Sequence, residues 1–115
     1  MTAQALNKIR VLELTTAVAG PVAGCVLADM GAEVIKIESP GGRSIRSPGA
    51  PPPIQGAPDH PYNRTPFFNE LHRGKKLLSL DLKHPEGKDI FVRLVENADV
   101  VMENFSPKIV GRLGI

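Results

Sequence analysis

The chain has 115 residues, 42% of them hydrophobic and 23% charged, with a formal net charge of +2 and an isoelectric point near 8.9. That is the balance of an ordinary globular domain with a modest core, and the charge is too mild to argue for nucleic acid. No apolar run is long enough to span a bilayer, and Met1-Thr-Ala-Gln lacks the charged start and apolar core of a secretory leader. The lone cysteine, Cys25, leaves no internal disulfide to form, so a reducing, cytoplasmic location is expected.

The run Ile9-Arg-Val-Leu-Glu-Leu-Thr15 predicts a buried strand, followed by a small-residue turn over residues 15–20. Pro21 then opens a helix, because a proline in the first helical turn forfeits no intrahelical hydrogen bond. Val22, Val26, Leu27 and Met30 recur at helical spacing, and Gly31 supplies the stop. The second strand is read in Gly31-Ala-Glu-Val-Ile-Lys-Ile-Glu38. A strand, helix and strand joined so tightly form a right-handed crossover between parallel strands.

From residue 39 to 66 proline and glycine dissolve the pattern, since neither sustains a helix or a central strand. A loop of this length is either a binding loop or mobile cover, or a disordered insertion. A short helical turn is expected over residues 67–71 and a third strand over 77–82. His84-Pro85-Glu86 starts the next helix, with Ile90, Phe91, Leu94, Val95 and Ala98 on one apolar face. A fourth strand covers residues 99–103, and Ser106 caps a helix whose first residue is Pro107.

Strands alternating with helices predict an α/β fold, a parallel Rossmann-like sheet with flanking helices. So few strands rarely complete such a sheet. Residues 1–115 therefore read as the front part of a larger protein, ending as a further helix should begin.

In an open parallel sheet, ligands bind outside the carboxyl ends of the strands. Residues 17–20, 38–39, 80–83 and 104–106 meet that condition. Gly20 lets a ligand approach the backbone, although Pro21 removes one N–H that an anion would use. Lys83 and Arg112 are candidates for phosphate contacts, against the ordinary reading of isolated surface charges. A nicotinamide dinucleotide is the obvious ligand for such a sheet. Val18-Ala19-Gly20-Pro21-Val22-Ala23 aligns with the glycine fingerprint and Glu38 with the ribose-binding acid, but Val18 replaces the first glycine. Cys25 reads as a small buried hydrophobe. His60, His72 and His84 match no metal spacing and read as solvated side chains.

A more specific match lies in the whole string. Val11-Leu-Glu-Leu-Thr, Ala19-Gly-Pro, Leu27-Ala-Asp-Met-Gly-Ala-Glu-Val-Ile-Lys-Ile-Glu38, Arg73-Gly-Lys-Lys, Leu80-Asp-Leu-Lys, Pro85-Glu-Gly-Lys, Ala98-Asp-Val, Glu103-Asn-Phe and Arg112-Leu-Gly occur in order. Together they resemble the class III coenzyme A transferases, the family of the formyl-CoA and carnitine CoA-transferases and of α-methylacyl-CoA racemase. The resemblance covers nearly everything outside residues 43–66.

It implies a CoA-binding, Rossmann-like N-terminal part of a larger fold whose two chains interlock as a homodimer. The substrates implied are an acyl-CoA and a free carboxylic acid, with no metal, no nucleic acid and no membrane. The family's CoA contacts fall on Val18, Ala19, Ser39, Leu80, Asp81, Leu82, Lys83, Asn104, Phe105, Ser106 and Arg112. Two positions depart from the formyl-CoA enzymes. Ser39 stands where they carry arginine, a cation that Arg43 or Arg46 would have to replace. Val18 stands where they carry glutamine, which favours a bulkier, more apolar acyl group than formate or oxalate. The family's nucleophile is an aspartate that forms an aspartyl-CoA thioester, and none of Glu13, Asp29, Glu33, Glu38, Asp81 or Glu103 matches it. No catalytic residue is assigned, and the chain alone is expected to be inactive. The alternatives are a racemase, or a non-catalytic CoA- or dinucleotide-binding module.

Overall fold

The computed structural model describes residues 4–40 and 66–115. Four strands, β1 (Arg10–Leu14), β2 (Glu33–Glu38), β3 (Lys76–Ser79) and β4 (Val100–Glu103), alternate with four helices. These are α1 (Ala19–Asp29), α2 (Pro66–His72), α3 (Pro85–Val95) and α4 (Pro107–Leu113). The sheet order is β3-β2-β1-β4, and all three pairings are parallel. The expected α/β architecture is therefore present. The chain steps outward from β1 to β2 and β3, then crosses back to place β4 on the other side of β1. The carboxyl ends of β1 and β4 thus flank a topological switch point, where the connections leave in opposite directions.

Periodicity of two decides which side chains meet which layer. One face carries Leu12, Leu14 and Ile37, packed with Leu80, Leu82 and Phe91 and bordered by Leu94, Val95 and Ala98. Phe91 is the deep residue of α3, whereas Ile90, expected on the same apolar face, is exposed. Gly87 brings α3 close, since a Cβ there would overlap the Asp81 carbonyl. The other face carries Val11 and Val34 against Ala32, Leu27 and Ala28.

Helix α1 meets the sheet through small residues. Gly20, Pro21, Gly24 and Cys25 are its buried set. Of the row that announced the helix, Val22, Val26 and Met30 are exposed by 44%, 48% and 44%, whereas Leu27 packs on the sheet. The helical period was correct, but Val22, Val26 and Met30 face away from the sheet because glycines permit a closer approach than valines. The structure confirms Cys25 as fully buried, its Sγ 3.4 Å from the Glu70 carbonyl.

The helical turn expected at 67–71 is the two-turn helix α2, and the third strand is shorter than expected, ending at Ser79. A helix forms near the chain's end: α4 closes at Gly114, whose φ of 67° is the left-handed conformation that suits glycine. Most of the proline-rich loop, with Arg43, Arg46 and His60, lies outside the described residues.

Candidate binding site at the strand carboxyl ends

The β1–α1 turn, residues 15–20, borders the site, with Thr15 and Thr16 in its lining. Thr16 is held across the switch point by Asn104, which follows β4. The Thr16 N–H donates to Asn104 Oδ1 at 2.8 Å, and Asn104 Nδ2 donates to the Thr16 carbonyl at 2.9 Å. This pair of bonds continues the β1–β4 ladder by one side chain. The next residue, Ala17, has φ 57°, a left-handed backbone that L-residues rarely adopt. Gly20 must be a glycine here, because a Cβ would lie 2.5 Å from Thr15 Cβ and 3.0 Å from Asn104 Cγ.

Beneath the turn lies a charged cluster. Glu13 of β1 stands opposite Lys36 of β2 in the pairing register. Its side chain is wholly buried, and the Lys36 ammonium lies 3.0 Å from Oε1. The Thr15 hydroxyl also donates to Oε1. Lys75, likewise wholly buried, lies 2.7 Å from Oε2. Burial pushes the Lys36 ammonium below its ordinary pKa, while the Glu13 carboxylate pulls in the opposite direction.

His72 is buried, not solvated. Its Nδ1–H donates to the Phe68 carbonyl at 2.7 Å, and its ring stacks on Phe68 with centroids 4.0 Å apart. Its Nε2 lies 3.5 Å from Glu38 Oε1. The amphipathic turn of α2 carries it inward, a placement that no local sequence pattern distinguishes from exposure. His84 is exposed at the start of α3, as expected.

A pocket of about 230 Å³ opens over this platform. That is below the roughly 300–1,000 Å³ of complete small-molecule sites. Leu14, Ile37, Leu80, Leu82, Phe105 and Leu113 make its apolar wall. Thr15, Thr16, Lys36, Glu38, Ser39, Asp81 and Lys83 supply polar groups. The Lys83 N–H donates to Asp81 Oδ1 at 2.9 Å, a tight turn that leaves the Lys83 side chain exposed at the rim.

Of the sequence-derived candidates, Ser39, Leu80, Asp81, Leu82, Lys83 and Phe105 are brought together on this pocket. Val18, Ala19, Asn104, Ser106 and Arg112 are not among its lining residues; Asn104 instead holds Thr16. Leu80 and Leu82 serve two purposes, since both are also core residues. Sequence reasoning missed Thr15, Thr16, Lys36 and Leu113. For Lys36 a signal existed: a charged residue inside a strand covered on both faces requires a buried partner. Among the described residues, no group of three metal-ligating side chains converges.

Sheet order, switch point and pocket define an α/β domain with a cavity at its strand ends. Comparison with known proteins makes the class specific. The sequence profile of CoA-transferase family III matches residues 6–115, and the chain belongs to that family. It is 48% identical over 101 residues to succinyl-CoA:mesaconate CoA-transferase of Haloarcula hispanica, covering 88% of this chain and 24% of the relative. Over 111 residues it is 44% identical to succinate–glutarate CoA-transferase of Agrobacterium fabrum, covering 96% of this chain and 27% of the relative. The crystal structure of the hypothetical protein Rv3272 of Mycobacterium tuberculosis superposes with a TM-score of 0.78 at 41% identity, covering 98% of this chain and 28% of that one. The chain thus spans about a quarter of the length of the relatives it matches.

Proposed function

We propose that the protein carrying this chain moves coenzyme A between an acyl-CoA thioester and a carboxylic acid, and that this chain supplies a CoA-binding half-site. Family membership over residues 6–115 carries the reading. The pocket supports it, since it combines an apolar wall with a rim lysine, Lys83, suited to a phosphate of the ligand. Phe105 offers a face against which a flat or aliphatic part of CoA can pack. Val18, Ala19, Asn104, Ser106 and Arg112 complete the proposed contact set, reached by the parts of CoA that extend beyond the pocket.

The reaction proceeds in this proposal through an aspartyl intermediate whose aspartate is not one of this chain's residues. The chain alone is therefore inactive. The acyl group is larger than formyl, in keeping with Val18 and with relatives named for succinyl-CoA and glutarate. The exposed row Val22, Val26 and Met30 suits burial against further protein in an intertwined homodimer.

Calorimetric titration tests the first step. CoA is expected to bind and NAD not to; NAD binding without a response to CoA would overturn the proposal. An assay of the intact protein with succinyl-CoA and a dicarboxylic acceptor tests the second, and absence of transfer with every acyl-CoA tried would leave a binding module.

A further inference from the structure

The charged cluster beneath the β1–α1 turn is directed at backbone. Lys36 Nζ donates to the Thr15 carbonyl at 2.9 Å, and Lys75 Nζ donates to the Pro21 carbonyl at 2.7 Å. Those two carbonyls bracket residues 16–20. One buried carboxylate, Glu13, faces both ammoniums and so sets the distance between the two ends of the turn. Gly24 makes room for this arrangement, since a Cβ there would overlap Glu13 Oε2 and lie 2.8 Å from Lys75 Nζ.

We propose that Glu13, Lys36 and Lys75 are positioning residues that clamp the β1–α1 turn in the shape that receives CoA. The proposal rests on the CoA-binding reading above and deepens it. The turn needs a clamp because Ala17 is left-handed, and a non-glycine residue keeps that conformation only where its surroundings over-determine it. Asn104 fixes Thr16 from β4, and the two lysines fix Thr15 and Pro21 from below, so the turn is anchored on both sides of Ala17. A cluster that served stability alone is an inefficient device. Apolar side chains of similar volume close such a space as well, as they do on the opposite face of this sheet.

Lys75→Met in the intact protein is the direct test, because it releases Pro21 while leaving Glu13 and Lys36 as a balanced pair. Amide hydrogen exchange is expected to quicken at residues 18–24 only, with β2 and β3 protected as in the unaltered protein. CoA should bind about tenfold more weakly, the equilibrium worth of one charge-assisted hydrogen bond. The triple variant Glu13→Met, Lys36→Met, Lys75→Met keeps the space filled without stranding a charge. It should fold and show the same local signature more strongly. Unchanged exchange at the turn, or a uniform rise across the sheet with CoA affinity following global stability, would overturn the proposal. Failure of both variants to fold would do so as well, by making the cluster a folding requirement. If the unaltered protein does not bind CoA, the functional reading falls, and the exchange map still decides whether the clamp exists.

Discussion

The two faces of this sheet solve the same packing problem with opposite chemistry. Toward α3 and α4, Leu12, Leu14, Ile37, Leu80, Leu82 and Phe91 exclude water with aliphatic and aromatic surface. Toward α1 and α2, an apolar patch of Val11, Val34 and Ala32 adjoins a charged cluster at the strand ends, where the sheet buries Glu13 and Lys36 beside Lys75 under a helix that contributes glycines and Cys25. The aliphatic face tolerates small adjustments because dispersion and the hydrophobic effect lack direction. The charged face does not, because ammoniums and a carboxylate hold only in specific geometry. The directional chemistry sits under the turn whose Thr15 and Thr16 line the pocket.

The comparison breaks most visibly at its two anchors. Phe91→Ala should cost about 3–5 kcal/mol through lost burial and the cavity left behind. Glu13→Gln should cost a similar amount, about 3–5 kcal/mol, because it strands two buried ammoniums. Denaturant unfolding of both variants measures this; a near-neutral Glu13→Gln would mean that the charged face is not electrostatically poised. Gly24→Ala comes next, at about 1–3 kcal/mol, by forcing a methyl group into the cluster. The same substitution at Gly111, where a Cβ meets nothing within 4 Å, is the matched control.

The pH dependence of stability sharpens the contrast further. Burial lowers the folded-state pKa of Lys36 below its ordinary 10.5, so the unfolded chain binds more protons just below that value. The Lys36 contribution to stability therefore rises as pH climbs from the depressed pKa toward 10.5, and is lost again as pH falls. Unfolding free energies of Lys36→Met should show a flatter alkaline slope than the unaltered protein. An identical slope would remove Lys36 as its source. The smallest effect belongs to the surface. Arg73 joins the end of α1 to the end of α2 through Asp29 at 2.7 Å and Glu70 at 2.6 Å, with all three side chains well exposed. Arg73→Ala should lower Tm only slightly, and the difference should vanish in high salt.

Much of the fold was legible in short stretches of chain. Pro85 and Pro107 marked helix starts, Gly31 marked a helix end, and the tight β1–α1–β2 string predicted a parallel crossover. Of the four strand ends chosen from the general rule for open sheets, residues 38–39, 80–83 and 104–106 contribute to one pocket and residues 17–20 do not; six of the eleven candidate contacts line it. The misses share a cause. Val22, Val26 and Met30 showed a helical period without showing which side met the sheet. His72 looked like any polar residue beside a basic stretch, yet its burial depends on how α2 lies against α1 and β2.

Local order in this protein was thus set by the amino-acid sequence itself, because periodicity, caps and breakers act within a few residues. The family, too, was readable there, since it lies in an ordered string of short motifs. The tertiary structure alone decided which side chains became site and which became scaffold. Lys75 reaches a carbonyl 54 residues away and Asn104 clips a residue 88 positions back in the chain. Such contacts have no local signature. They exist only once parallel strands bring distant segments together at one end of a sheet, and there a buried charge must find its partner or remain desolvated without one.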